Sequence, residues 1–255
     1  MNAQRIILRS VSLGTLLFLY LPVFILVVFS FNVSHFSARW EGGTLNWYCQ
    51  LTSDAALLAA AQNSLLVGVI STLVALVLGV SAAVVLERRP IRGQRTFDAV
   101  LLLPLVIPEI LMGVALLLFF VMIQWPLGLF TVTIGHILFS LSLVTVIVRA
   151  RLRKLDPTIE EAAYDLGATR WQAFRQVTLP LLRPAIVGAA LMAFTVSFND
   201  FIVTFFTAGP GSTTLPLKVF SMIRTGVSPE INALSAILVF VSMGLIGVSL
   251  ILQRK

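Results

Sequence analysis

Six apolar runs, each long enough to cross a bilayer, govern what this chain can become. They fall at about 10–31, 63–86, 99–123, 127–148, 185–206 and 231–252, where roughly 20 apolar residues suffice for one helical crossing. A soluble core can imitate one such run, but not six. Composition agrees: 58% of the 255 residues are hydrophobic and 11% charged, with mean hydropathy +0.98, values of integral membrane proteins. The expectation is an all-α polytopic protein with six transmembrane helices, forming a single membrane domain over 1–255.

A net charge of +7 could point to nucleic acid, but its distribution points elsewhere. With alternating sides from a cytoplasmic N-terminus, all but Arg39, Lys218 and Arg224 of the 18 lysines and arginines gather on one side. That asymmetry is the positive-inside rule at work. It places both termini and the long 149–184 loop in the cytoplasm and removes nucleic acid as a partner. Arg5 and Arg9 before the first run could open a signal peptide. The run exceeds the usual h-region, however, and no small-residue cleavage site closes it. Cys49 is the single cysteine, so no intrachain disulfide forms.

The 149–184 loop is a polar island that something outside the bilayer must read. Asp156 can cap a helix whose first position is Pro157. Ile159, Ala162, Ala163 and Leu166 then share one face, and Gly167 suits a left-handed helix end. Thr169 can cap a second short helix ending before Pro180. The alanines and the glycine leave a shallow surface that another backbone can approach.

Inside the runs, small residues recur every four positions: Ser64, Gly68, then Ser71, Ala75, Gly79 and Ala83. Such spacing lets helices approach closely, within the chain or against a sister subunit. Pro104 and Pro108 break or kink the third run, and irregular backbone survives in a membrane only where protein or a wet cavity satisfies it. Glu109 follows, roughly 15 Å along the helix from its start and so near mid-membrane. The fifth run carries Phe198, Asn199, Asp200 and Phe201. A charge at the bilayer centre costs about 2.5–3.5 kcal/mol on insertion scales, and neither acid has a lysine or arginine in its own run. Two readings stay open for each: it meets water, a partner or a cationic ligand, or it caps a broken helix. Acids with aromatics along one route suit an elongated organic cation. Trp40, Trp47 and Tyr48 after the first run read as interface anchors.

Several chemistries find no support. His35 and His136 lie on different segments without paired ligand spacing, so no metal is expected. No G-x-x-x-x-G-K-[ST] occurs, so no nucleotide cofactor is expected and hydrolysis must come from another protein. No histidine partners a serine in any sequence pattern, so no catalytic constellation is legible.

The spacing of Glu161, Ala162, Ala163, Gly167, Leu179 and Pro180, with Val177 in place of the usual isoleucine, resembles the E-A-A signature of bacterial ABC importer permeases. Ser30-Phe31-Asn32, Trp47-Tyr48, Pro108-Glu109, Glu160 through Ala168, Asn199-Asp200, Leu215-Pro216-Leu217 and Gly226 through Leu234 extend the resemblance. They are similar to the spermidine/putrescine importer permeases of the PotC/PotI type. The resemblance implies a type I importer fold in the inner membrane and alternating access driven by a cytoplasmic ABC ATPase dimer. It also implies a homologous sister permease and a periplasmic solute-binding protein. ATPase coupling would fall to Glu160, Glu161, Ala162, Ala163, Asp165, Leu166, Gly167, Ala168, Val177, Leu179 and Pro180. The solute pathway would use Glu109, Asp200, Asn199, Phe198 and Phe201. Asn199 stands where the family often has a second acid, which bears on solute preference. Permeases for phosphonates or opines share much of the pattern, and an ATPase-independent channel or carrier is the competing class.

Overall fold

A computed structural model describes residues 2–34, 39–88, 92–226 and 228–253. His35, Arg89, Val227, Arg254 and Lys255, which enter the sequence argument, lie outside the described residues. The described chain forms helices in the order α1 Asn2–Phe29, α2 Asn46–Leu51, α3 Ala55–Arg88, α4 Gln94–Val106, α5 Glu109–Met122 and α6 Leu129–Leu152. These are followed by α7 Thr158–Asp165, α8 Arg170–Ala173, a π-helical turn Phe174–Thr178, α9 Leu179–Asn199, α10 Ile202–Thr207, α11 Leu215–Thr225 and α12 Pro229–Gln253. Five continuous helical stretches among the described residues are long and apolar enough to cross a membrane, six when the bent pair α4–α5 is counted as one broken span.

Two compact units emerge. One takes in Met1–Leu58 with Lys218–Val241, the other Ala59–Leu217 with Ser242–Lys255. In the first, the loop after α1 is organised by Asn32, which is fully buried. Its Nδ2 donates to the Arg39 carbonyl at 2.6 Å and its Oδ1 accepts from the Glu41 amide at 3.0 Å. Its carbonyl accepts from Trp47 Nε1 at 2.7 Å. Trp47 is therefore the core of a loop rather than an interface anchor, whereas Trp40 stays half exposed. Asp54 caps α3 through the amides of Ala56 and Leu57.

In the second unit, the small-residue stripe of α3 is an intrachain seam. Ala75 and Ala83 are buried with Val144, Val148 and Leu152 of α6 and Leu182 and Ala189 of α9. A Cβ on Gly79 would lie 2.8 Å from Val144 Cγ1, and one on Gly68 would lie 2.9 Å from the Phe194 ring. Without competing water, such close packing is what associates helices in lipid.

Two of the apolar runs are broken, the third at the prolines that foretold it. Ile107 is forced extended (φ −68°, ψ 134°) ahead of Pro108, and α4 and α5 meet at 106°. The fifth run also breaks: α9 stops at Asn199 and α10 begins at Ile202. The expected second hairpin helix does not end before Pro180, because helix continues from Arg170 to Asn199 over 30 residues. An interior proline clashes with the carbonyl four residues earlier. For Pro180 that residue is Gln176, inside the widened π-helical turn, and the wider turn relieves the clash.

Candidate functional site

The hairpin forms as its residues dictate. Asp156 Oδ1 accepts from the Thr158 amide at 3.0 Å, and that backbone bond holds its carboxyl below the usual aspartate range. At the other end Gly167 takes φ +87°, with its amide on the Tyr164 carbonyl and the Ala168 amide on the Ala163 carbonyl. These two bonds are the Schellman closure of a helix. Thr169 and Gln172 exchange side-chain-to-backbone bonds in a capping box.

None of the expected coupling residues is buried. Glu161, Ala162, Asp165 and Gly167 are exposed, Ala163, Ala168, Val177, Leu179 and Pro180 partly covered. Leu166 is 89% exposed and Trp171 66%, unusual for large apolar side chains on a polar loop. Glu160 differs. Its Oε1 accepts from Arg88 Nη2 at 3.0 Å and from Thr178 Oγ1 at 2.7 Å, tying α7 to the end of α3 and to the π-helical turn. One residue away, Glu87 pairs with Arg149 and Arg153, and Arg149 also pairs with Asp98. Adjacent residues of α3 thus bind the hairpin on one side and α6 on the other. A cavity of about 880 Å³ opens between α3 and the hairpin, lined by Arg88, Glu161, Tyr164, Arg170, Trp171 and Phe174 among others.

The two embedded acids part company. Glu109 sits exposed in the first turn of α5, without a hydrogen bond or ion pair among the described residues. The Asp200 side chain is only 5% exposed and lies 3.1 Å from Nε2 of His136. Its oxygens also accept from the amides of Val203 and Thr204 and from Thr204 Oγ1, so it caps α10. Its charge, uncompensated within its own run, finds its partner on α6, 64 positions earlier in the chain. Asn199 is exposed and bonds Ser242 Oγ. Phe198 is buried against Phe194, and Phe201 packs on Phe205.

His136 does have partners, contrary to the sequence expectation. Nδ1 is 2.6 Å from Ser197 Oγ, and Nε2 is 3.0 Å from Thr204 Oγ1. Serine, histidine and aspartate thus meet, but not as a hydrolase needs them. Ser197 is 4% exposed within α9, with helical neighbours engaging the nearby amides. The ring is also reversed, Nδ1 facing the serine and Nε2 the carboxylate, the opposite of a hydrolase triad. With a neutral ring, the contacts are satisfied when Ser197 donates to Nδ1 and Nε2–H donates toward Asp200 and Thr204. The signal was available, since an ionisable residue within a span invites a named partner.

Long apolar helices, two of the spans broken at polar residues, and an exposed small-residue hairpin define a membrane permease. The model of the family described as "Binding-protein-dependent transport system inner membrane component" matches residues 75–255, and the chain belongs to that family. It is a multi-pass inner membrane protein. Among relatives, the putrescine transport system permease protein PotI of Escherichia coli K12 is 44% identical over 237 residues, covering 90% of this chain and 84% of that protein. The spermidine/putrescine transport system permease protein PotC of the same strain is 39% identical, covering 93% and 90%. In fold the chain is similar to a bacterial ABC transporter involved in alginate import (TM-score 0.76, 16% identity, 99% and 95% covered). It is also similar to the methionine transporter MetNI (TM-score 0.66, 20% identity, 83% and 98% covered). The fold is that of type I ABC importer permeases.

Proposed function

We propose that the chain is the permease subunit of an ABC importer for a polyamine, putrescine or spermidine, working beside a homologous sister permease. A periplasmic binding protein delivers the solute and a cytoplasmic ATPase dimer supplies the energy, since the chain carries no nucleotide-binding loop. The exposed hairpin carries this reading: Ala162, Ala163, Leu166 and Gly167 offer an apolar, small-residue surface on a loop that the positive-inside rule puts in the cytoplasm. ATP binding closes the ATPase dimer and displaces the hairpin. Glu160 and Arg88 pass the displacement to α3, and Glu87 with Arg149 passes it to α6 and α4. The bundle thereby exchanges inward and outward openings.

For the solute, relatives named for putrescine supply the class, and Glu109 supplies the chemistry. An exposed, unpartnered carboxylate at a helix break suits an ammonium group better than a phosphonate. Asn199, Phe201 and Phe198 are assigned to the same route by the resemblance to polyamine permeases. The test is ATP-dependent uptake of radiolabelled putrescine by proteoliposomes holding the whole complex. Uptake is expected with all partners present and none by this polypeptide alone. Saturable uptake by the isolated chain would make it a carrier and end the proposal.

A further inference from the structure

Resting on that polyamine reading, we infer that the buried Ser197–His136–Asp200 relay is a latch that fixes α10 against α6, and that Asp200 serves transport by holding this geometry rather than by touching solute. His136 and Ser197 are then positioning residues. The break between α9 and α10 frees backbone amides, and the Asp200 carboxylate accepts two of them, from Val203 and Thr204. The same carboxylate is held from α6 by His136. At the far end of α10, Thr131 of α6 donates to the Thr207 carbonyl at 2.7 Å. Between these two ties the helices almost touch, since a Cβ on Gly135 would lie 2.6 Å from Val203 Cγ1. On its other side α10 meets α5, where Gly113 leaves room for the Phe206 ring. A six-residue helix has too few internal bonds to persist alone. Its neighbours define it.

The relay extends to α3, because Ser197 Oγ also lies 3.2 Å from Ser71 Oγ. Three helices therefore meet the break through side chains that are all buried. A solute ammonium could reach Asp200 only by displacing His136. Glu109 has no such competitor. The two acids thus do different work, and kinetics can separate them.

Transport and accessibility are measured on the complete complex. His136→Leu should lower the maximal rate of putrescine uptake about tenfold or more, the scale of a lost hydrogen bond to a charged group, with KM nearly unchanged. Asp200→Asn should do the same, and the double variant should be no worse than either. His136→Gln, which can place a donor near the Nε2 position, should recover much of the rate. Independently of any solute, Val203→Cys in a Cys49→Ser background should resist a membrane-permeant thiol reagent, and His136→Leu should make it react several-fold faster. If His136→Leu does not accumulate, the labelling is read on Ser197→Ala, where unchanged protection overturns the latch. A KM increase confined to Asp200→Asn, with normal transport by His136→Leu, would assign Asp200 to the solute instead. Wild-type complex that takes up no putrescine refutes the polyamine reading alone, since the thiol assay needs no solute.

Discussion

Glu109 and Asp200 are the same kind of residue at similar helix breaks, and their surroundings give them opposite characters. Asp200 accepts bonds from two amides, a hydroxyl and an imidazole, which offset the cost of burying it. Glu109 is exposed in the first turn of α5, with none of these partners. Glu109→Gln should therefore raise the KM for putrescine several-fold while leaving membrane insertion intact, as measured by uptake kinetics beside quantitative immunoblotting. Unchanged KM would remove Glu109 from the pathway. Gly167 makes a second prediction at this scale. Nothing lies within 4 Å of a Cβ built there, so the objection to a side chain is its φ of +87°. That conformation costs about 1–2 kcal/mol for an L-residue. Gly167→Val should suppress solute-stimulated ATPase of the reconstituted complex, with Gly167→Asn, which tolerates the left-handed region, retaining more. Equal activity in both variants would show that the Schellman turn does not matter.

Among elements, those written in local patterns were legible. The caps of α7 and α8, the glycine stop and the apolar lengths of α1, α3, α6 and α12 follow from residues a few positions apart. Pro104 and Pro108 announced a break but not its 106° angle. The break at Asp200 carried no proline or glycine; the capping of α10 by Asp200 is local, but the contact with His136, 64 residues away, is tertiary. α11 was hidden for a similar reason. Its start lies beyond a turn-rich stretch, and the Leu215 amide is satisfied by Ser64 Oγ from α3. Of the site, the hairpin was readable, whereas its tie to α3 was not, because Glu160 and Arg88 are 72 residues apart. That tie gives the element-scale prediction. Arg88→Glu and Glu160→Arg should each reduce putrescine transported per ATP hydrolysed, and the double exchange should recover part of it. A double variant as poor as the two losses combined would mean the pair transmits nothing.

At the scale of the whole molecule, orientation decides whether the hairpin can meet an ATPase. Cys49 is exposed and is the single cysteine, so it reports on sidedness without any insertion. A membrane-impermeant maleimide should label Cys49 in spheroplasts, and should label Leu166→Cys (in a Cys49→Ser background) only in inside-out vesicles. The reverse pattern would invert the protein and leave the hairpin nothing to dock. The uninterrupted helix from Arg170 to Asn199 has a bearing on how force travels through the folded chain. Thirty residues make a rod roughly 45 Å long, with the π-helical turn seated near one end. That rod carries the second arm of the hairpin at its base and ends at the Asp200 break, so a single element joins the 149–184 loop to the buried relay.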